Sequence, residues 1–110
     1  MNTNVKLLST LGMCKKAGKL VIGFDAVATA IQRGEASLLV LAADISPKSA
    51  KRIIRLATDH GVSHLQLDVS MIDIERLVGK KAGILAVTDQ GLAKSIAAKS
   101  KARQVEEESV

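Results

Sequence analysis

Leu38–Ala42 reads Leu-Leu-Val-Leu-Ala, a run without a polar side chain. A strand that shows one face to water alternates apolar with polar residues, so an unbroken apolar strand needs cover on both faces. The flanking segments can supply it. Upstream, Leu7, Leu8, Leu11 and Cys14 recur at helical spacing before Gly18, and Lys19–Ile22 is a short β-prone run. From Phe24 to Arg33, Val27, Ala30 and Ile31 form a helical apolar face closed by Gly34. Downstream, Ser46-Pro47 pairs a capping serine with a proline at the first helical position, and Ala50, Ile53, Ile54 and Ala57 make the stripe of a third helix that stops at Gly61. Val62–Leu67 and Gly83–Val87 read as strands, Ser70–Val78 and Gln90–Ala98 as helices. The alternation predicts one α/β domain over residues 1–100, a three-layer sandwich with helices on both faces of a small, mostly parallel sheet. Val40, Ile54, Ala86 and Ile96 are expected in its core, with Cys14 shielded from solvent. Residues 101–110 carry no apolar stripe and are expected to fray.

Few enzymatic chemistries find their residues here. The glycines never form GxGxxG, and there is no GxxxxGK[ST], so the backbone cradles for pyrophosphate or ATP are missing in recognisable form. His60 and His64 have metal-pair spacing, but Gly61 separates them and the second falls in a strand. Cys14 is the only cysteine, which rules out an internal disulfide, and its place on an apolar stripe suits a core thiol better than a nucleophile. The expectation is a protein that is not an enzyme and takes no cofactor and no metal. The opening "MNTNVKLLSTLG" turns polar too soon for a signal peptide, and no run approaches the ~18 apolar residues of a membrane span. A cytoplasmic location follows as an expectation.

Charge points to a partner. The chain carries a formal net charge of +5 and a sequence pI near 9.6, a balance that favours a polyanion such as nucleic acid. Phe24 is its only aromatic residue, so stacking of successive bases on several rings is unavailable. What remains is recognition of folded RNA by helix ends, main-chain donors and positive charge. "IGFDA" is one such helix start: its first turn leaves N–H groups unpaired, Gly23 lets a backbone come close, and Lys19 adds charge nearby in sequence. Equally, Gly23 can be a plain turn and Asp25 a first-turn acid that complements the helix dipole. Lys48, Lys51, Arg52 and Arg55 share one face of the third helix, either as a solvated outer face or as a secondary basic surface.

The words "LGMCKKAGKLVIG", "AIQRGEASLLVLAADISP" and "LAVTDQGLAKSI" together resemble the ribosomal kink-turn-binding superfamily of archaeal ribosomal protein L-seven-Ae, and within it the small bacterial YlxQ-like proteins. Matches run in order from about Leu8 to Ile96. The resemblance implies an α/β/α sandwich with a four-stranded mixed sheet, whose first strand can run antiparallel, and about five helices. It also implies binding of structured RNA, ribosomal RNA among the candidates; a non-enzymatic, monomeric chain with no DNA specificity is expected. Three segments would adjoin: the start of the second helix (Gly23, Phe24, Asp25, Ala26, with Lys19 before it), the loop after the second strand (Asp44, Ile45, Ser46, Pro47) and the loop before the last (Lys80, Lys81, Gly83). RNA-reading relatives place Gly-x-Asn-Glu-x-x-Lys at the helix start. Here the asparagine, glutamate and lysine positions hold Asp25, Ala26 and Thr29. An ionised aspartate accepts hydrogen bonds but donates none, so sequence-specific kink-turn reading is expected to be weaker than in those relatives. A protein-interaction module on the same fold is the alternative.

Overall fold

The computed structural model describes residues 3–98, and the tail 101–110 lies outside them. In chain order the elements are α1 (Thr3–Lys16), β1 (Leu20–Ile22), α2 (Phe24–Gln32), β2 (Leu38–Leu41), α3 (Pro47–Asp59), β3 (His64–Gln66), α4 (Met71–Val78) and β4 (Ile84–Val87), with α5 over residues 90–98. The apolar run forms the inner strand β2, and all four of its residues are buried.

The two-residue period of a strand divides its side chains between two cores. Leu38, Val40 and Ala42 join Leu85 and Val87 of β4 under α1, α4 and α5, where Leu11, Cys14, Ile74 and Ile96 complete one core. Leu39 and Leu41 join Ile84 and Ala86 under α2 and α3, against Val27, Ile31, Ile53 and Ala57. Three layers result. Val40, Ala86, Ile96 and Cys14 are fully buried as expected. Ile54 is only half-buried, because the inner line of α3 runs through Ile53 and Ala57 and turns Ile54 toward the rim.

The sheet is the four-stranded mixed one that the resemblance implies, not the mostly parallel one that the alternation alone suggests. Its order is β1-β4-β2-β3; β2 and β3 pair in parallel, whereas β4 is antiparallel to both β1 and β2. The sheet is therefore mixed rather than mostly parallel. The strand that runs against the others is the last, not the first. The reversal lies in the connection through α4, after which the chain re-enters the sheet at the edge where it left β3. A parallel return would have required a crossover across the whole sheet.

That reversal gathers the loops. The carboxyl ends of β1, β2 and β3 and the amino end of β4 share one edge, the place where open α/β sheets commonly hold ligands. Backbone bonds fix the loops there: the Gly23 N–H donates to the Ile84 carbonyl at 2.9 Å, Ala42 N–H to Gly83 at 2.9 Å, and Ala43 N–H to Val69 at 2.8 Å.

Candidate RNA-binding surface

At this edge α2 starts without a side-chain cap. Its N-cap is Gly23, at φ 100° and ψ 154°, a conformation that a residue with a Cβ rarely adopts. The carbonyl of Gly23 accepts from the Val27 N–H at 3.0 Å, so the helix is wound from its first turn. Its leading N–H groups and positive dipole end consequently face the edge without a side-chain oxygen on them.

The other helix starts near this edge are occupied. Ser46 Oγ accepts from the Ser49 N–H at 3.2 Å and Pro47 takes the first helical position of α3. At α4, Ser70 Oγ accepts from the Asp73 N–H at 3.3 Å, and Asp44 Oδ1 reaches across from the β2–α3 loop to accept from the Met71 N–H at 2.9 Å. Asp44 thus joins two loops as well as lying exposed at the surface. Asp44→Ala should cost about 1 kcal/mol in urea unfolding, as loss of a helix cap does, while Asp44→Asn, which keeps an acceptor, should retain most of the stability. Equal loss in both would show that charge, not the bond to Met71, is the stabilising feature.

Between these segments lies an open depression lined by Gly23, Phe24, Ile45, Ser49, Met71, Lys81, Ala82, Gly83 and Ile84. The structure therefore brings Gly23, Phe24, Ile45, Lys81 and Gly83 into one place from three distant parts of the chain. Asp25, Ala26, Asp44, Ser46, Pro47 and Lys80 are exposed on the segments that form its rim. Gly83 is buried at the floor, where an added Cβ would stand 2.7 Å from Ile45 Cδ1 and 2.9 Å from Met71 Sδ. Glycine there lets the three loops close on one another.

Lys19 does not join them. It precedes β1, and its carbonyl accepts from the Thr88 N–H at the opposite edge of the sheet. The length of β1 separates it from Gly23 by roughly 13 Å at a strand's rise per residue. Nearness in sequence misplaced it, because a strand carries its two ends to opposite edges. The basic face of α3, in turn, is closer than expected. The Arg52 guanidinium lies over the Phe24 ring, 5.0 Å from its centroid, so this face borders the start of α2. Lys48, Lys51 and Arg55 are exposed along the same helix. Ser49, Met71 and Ala82 were not legible as lining the depression, since nothing in their local sequence announces how the starts of α3 and α4 and the α4–β4 loop meet.

Residues 5–97 match the profile of the Ribosomal protein L7Ae/L30e/S12e/Gadd45 family. The chain belongs to this family. It is 32% identical over 87 residues to the RNA-binding protein YlxQ of Bacillus subtilis (strain 168), covering 78% of this chain and 86% of the relative. It is 26% identical over 89 residues to the RNA-binding protein YlxQ of Enterococcus faecium, covering 81% and 85%. Among solved structures, a protein of unknown function from Bacillus halodurans C superposes with a TM-score of 0.79 at 25% identity, over 86% of this chain and 95% of that one. The Giardia lamblia 15.5kD RNA binding protein superposes with a TM-score of 0.77 at 19% identity, over 91% and 88%, a likeness of fold. Both superpositions agree with the α/β/α sandwich described above.

Proposed function

We propose that this chain is a non-enzymatic RNA-binding protein of the cytoplasm that docks structured RNA, with ribosomal RNA as a candidate, on the edge of the sheet around the uncapped start of α2. The observation that carries the reading is the depression in which Gly23, Phe24, Ile45, Lys81 and Gly83 meet. It offers main-chain donors without a competing side-chain cap, a closely approachable glycine backbone and a lysine, the groups that hold a phosphate backbone. The naming of its YlxQ relatives as RNA-binding proteins supports the same reading. The family's amide, carboxylate and amine are replaced by Asp25, Ala26 and Thr29, so binding rests on charge and shape more than on base reading.

Each phosphate that a lysine neutralises releases condensed counterions, giving a log–log salt slope of about −0.7 per contact on a single strand and near −0.9 on a duplex. In filter-binding titrations of a structured RNA at several salt concentrations, Lys80→Ala with Lys81→Ala should flatten the slope by about one to two units. Thermal stability should hardly change, because exposed lysines contribute at most ~1 kcal/mol to folding. Removing Lys48, Lys51 and Arg55 should matter less. A native protein with no salt-dependent RNA binding, or one weakened only by the α3 substitutions, would contradict the reading.

The protein-interaction alternative has its own observation. Met13 and Leu77 are exposed on α1 and α4 beside Gly12, Lys15 and Lys16, an apolar patch with a basic border. It lies on a different helix layer from α2 and α3, so substitutions can separate the two surfaces.

A further inference from the structure

The only aromatic side chain of the chain stands at the first position of the uncapped helix and is covered by an arginine. Phe24 is half-buried and packs against the core under α2 and α3, which fixes the plane of its ring. Arg52 is exposed, and among the described residues no carboxylate pairs with it; its helix neighbours at three and four residues are Ser49, Arg55, Lys48 and Leu56. The ring is therefore what orients the guanidinium. A guanidinium is flat and weakly hydrated, so one face can lie on an aromatic ring while the other accepts a second flat group. Lys81 and Ser49 line the depression beside the ring.

We propose that Phe24 and Arg52 form a stacking platform for one unpaired base of the bound RNA. The base lies on the outer face of the guanidinium, the ring backs it from below, and Lys81 takes the phosphate of the same stretch of backbone. This inference rests on the RNA-binding reading and adds to it the two side chains that would receive a base free of pairing, in a bulge or loop. Every base has a flat face, so the platform selects for an unpaired nucleotide rather than for its identity. Because the guanidinium already rests over the ring, less side-chain freedom is lost when the base arrives. A lysine at position 52 would supply the same charge but no plane.

The test compares affinity for a short RNA hairpin carrying one unpaired adenine with affinity for the same hairpin fully paired. The native protein should prefer the bulged hairpin by about tenfold, within the range expected for stacking one base. Arg52→Lys and, separately, Phe24→Leu should each reduce that ratio to about twofold or less. Lys94→Ala, which removes a charge on α5, should leave the ratio unchanged. Arg52→Lys is an exposed, charge-conserving substitution, so the test stands even if Phe24→Leu disturbs packing. With 2-aminopurine in place of the unpaired adenine, binding of the native protein should quench its fluorescence, and Arg52→Lys should restore it at saturating protein. If native protein and both variants share one ratio while all bind RNA, the platform is wrong and the RNA-binding reading stands. If the native protein binds neither hairpin at low salt, both fall together.

Discussion

Replacing Asp25 by Asn, Ala26 by Glu and Thr29 by Lys together should tighten binding to a kink-turn RNA by at least tenfold. The three positions are exposed on the first turns of α2, and residues 25 and 29 stand one above the other on the helix. Asp25 makes no cap bond whose loss would cost stability. The new side chains restore the amide, carboxylate and amine that RNA-reading relatives carry at these positions. Each regained base contact could contribute ~1–3 kcal/mol, by analogy with bidentate readout in DNA. The carboxylate lost in Asp25→Asn returns in Ala26→Glu, so the amine gained in Thr29→Lys is the net change in charge, and beside phosphates it acts in the same direction. The measurement is a titration of native and triple-substituted protein against one kink-turn RNA, with a paired duplex of equal length as reference. Equal affinities would show that α2 does not approach RNA as it does in those relatives.

Leu85→Ala should lower the unfolding free energy by about 3 kcal/mol, within the ~2–5 kcal/mol range for leucine truncation in a core. Leu85 is fully buried in β4 and sits opposite Ile22 of β1 and Val40 of β2. Because β4 lies between β1 and β2, it holds the β1–α2 and β2–α3 loops at their spacing along the edge. A domain with a net stability of ~5–15 kcal/mol keeps its fold after this loss but loses part of its margin. Urea unfolding should show a lower midpoint with an unchanged slope. RNA binding well below that midpoint should stay close to native, in contrast to the Lys80 and Lys81 substitutions, which should weaken binding at constant stability. A loss under 1 kcal/mol would mean that the surroundings of Leu85 collapse into the space it leaves.

The layers were legible in the sequence because they rest on local chemistry. An apolar run at Leu38–Ala42, a serine-proline start at Ser46-Pro47 and glycines at helix ends each fix one element with no knowledge of the others. Strand direction was not legible, since no residue of β4 encodes its sense. That sense depends on which edge the chain returns to after α4, which is set by how the layers pack together. The same missing information hid Met71 from the depression, whereas Lys19 was drawn toward it by nearness in sequence across the length of β1. Gly23 and Phe24 could be placed at the depression from sequence because a glycine before a helix is a local signal. Arg52 was read as part of a separate face because its contact with Phe24 spans two helices. Asp44 was legible as a surface residue, but its bond to the Met71 N–H depends on how two loops meet.

The central claim is that RNA meets the edge formed by the start of α2, the β2–α3 loop and the α4–β4 loop. Amide chemical-shift mapping of isotope-labelled protein, titrated with a structured RNA at low salt, tests it most directly. The largest shifts should fall on residues 23–26, 44–49 and 80–84, while Lys19, Glu35 and Thr88 at the opposite edge stay in place. Shifts centred on that opposite edge, or confined to the α3 turns around Lys51 and Arg55, would contradict it.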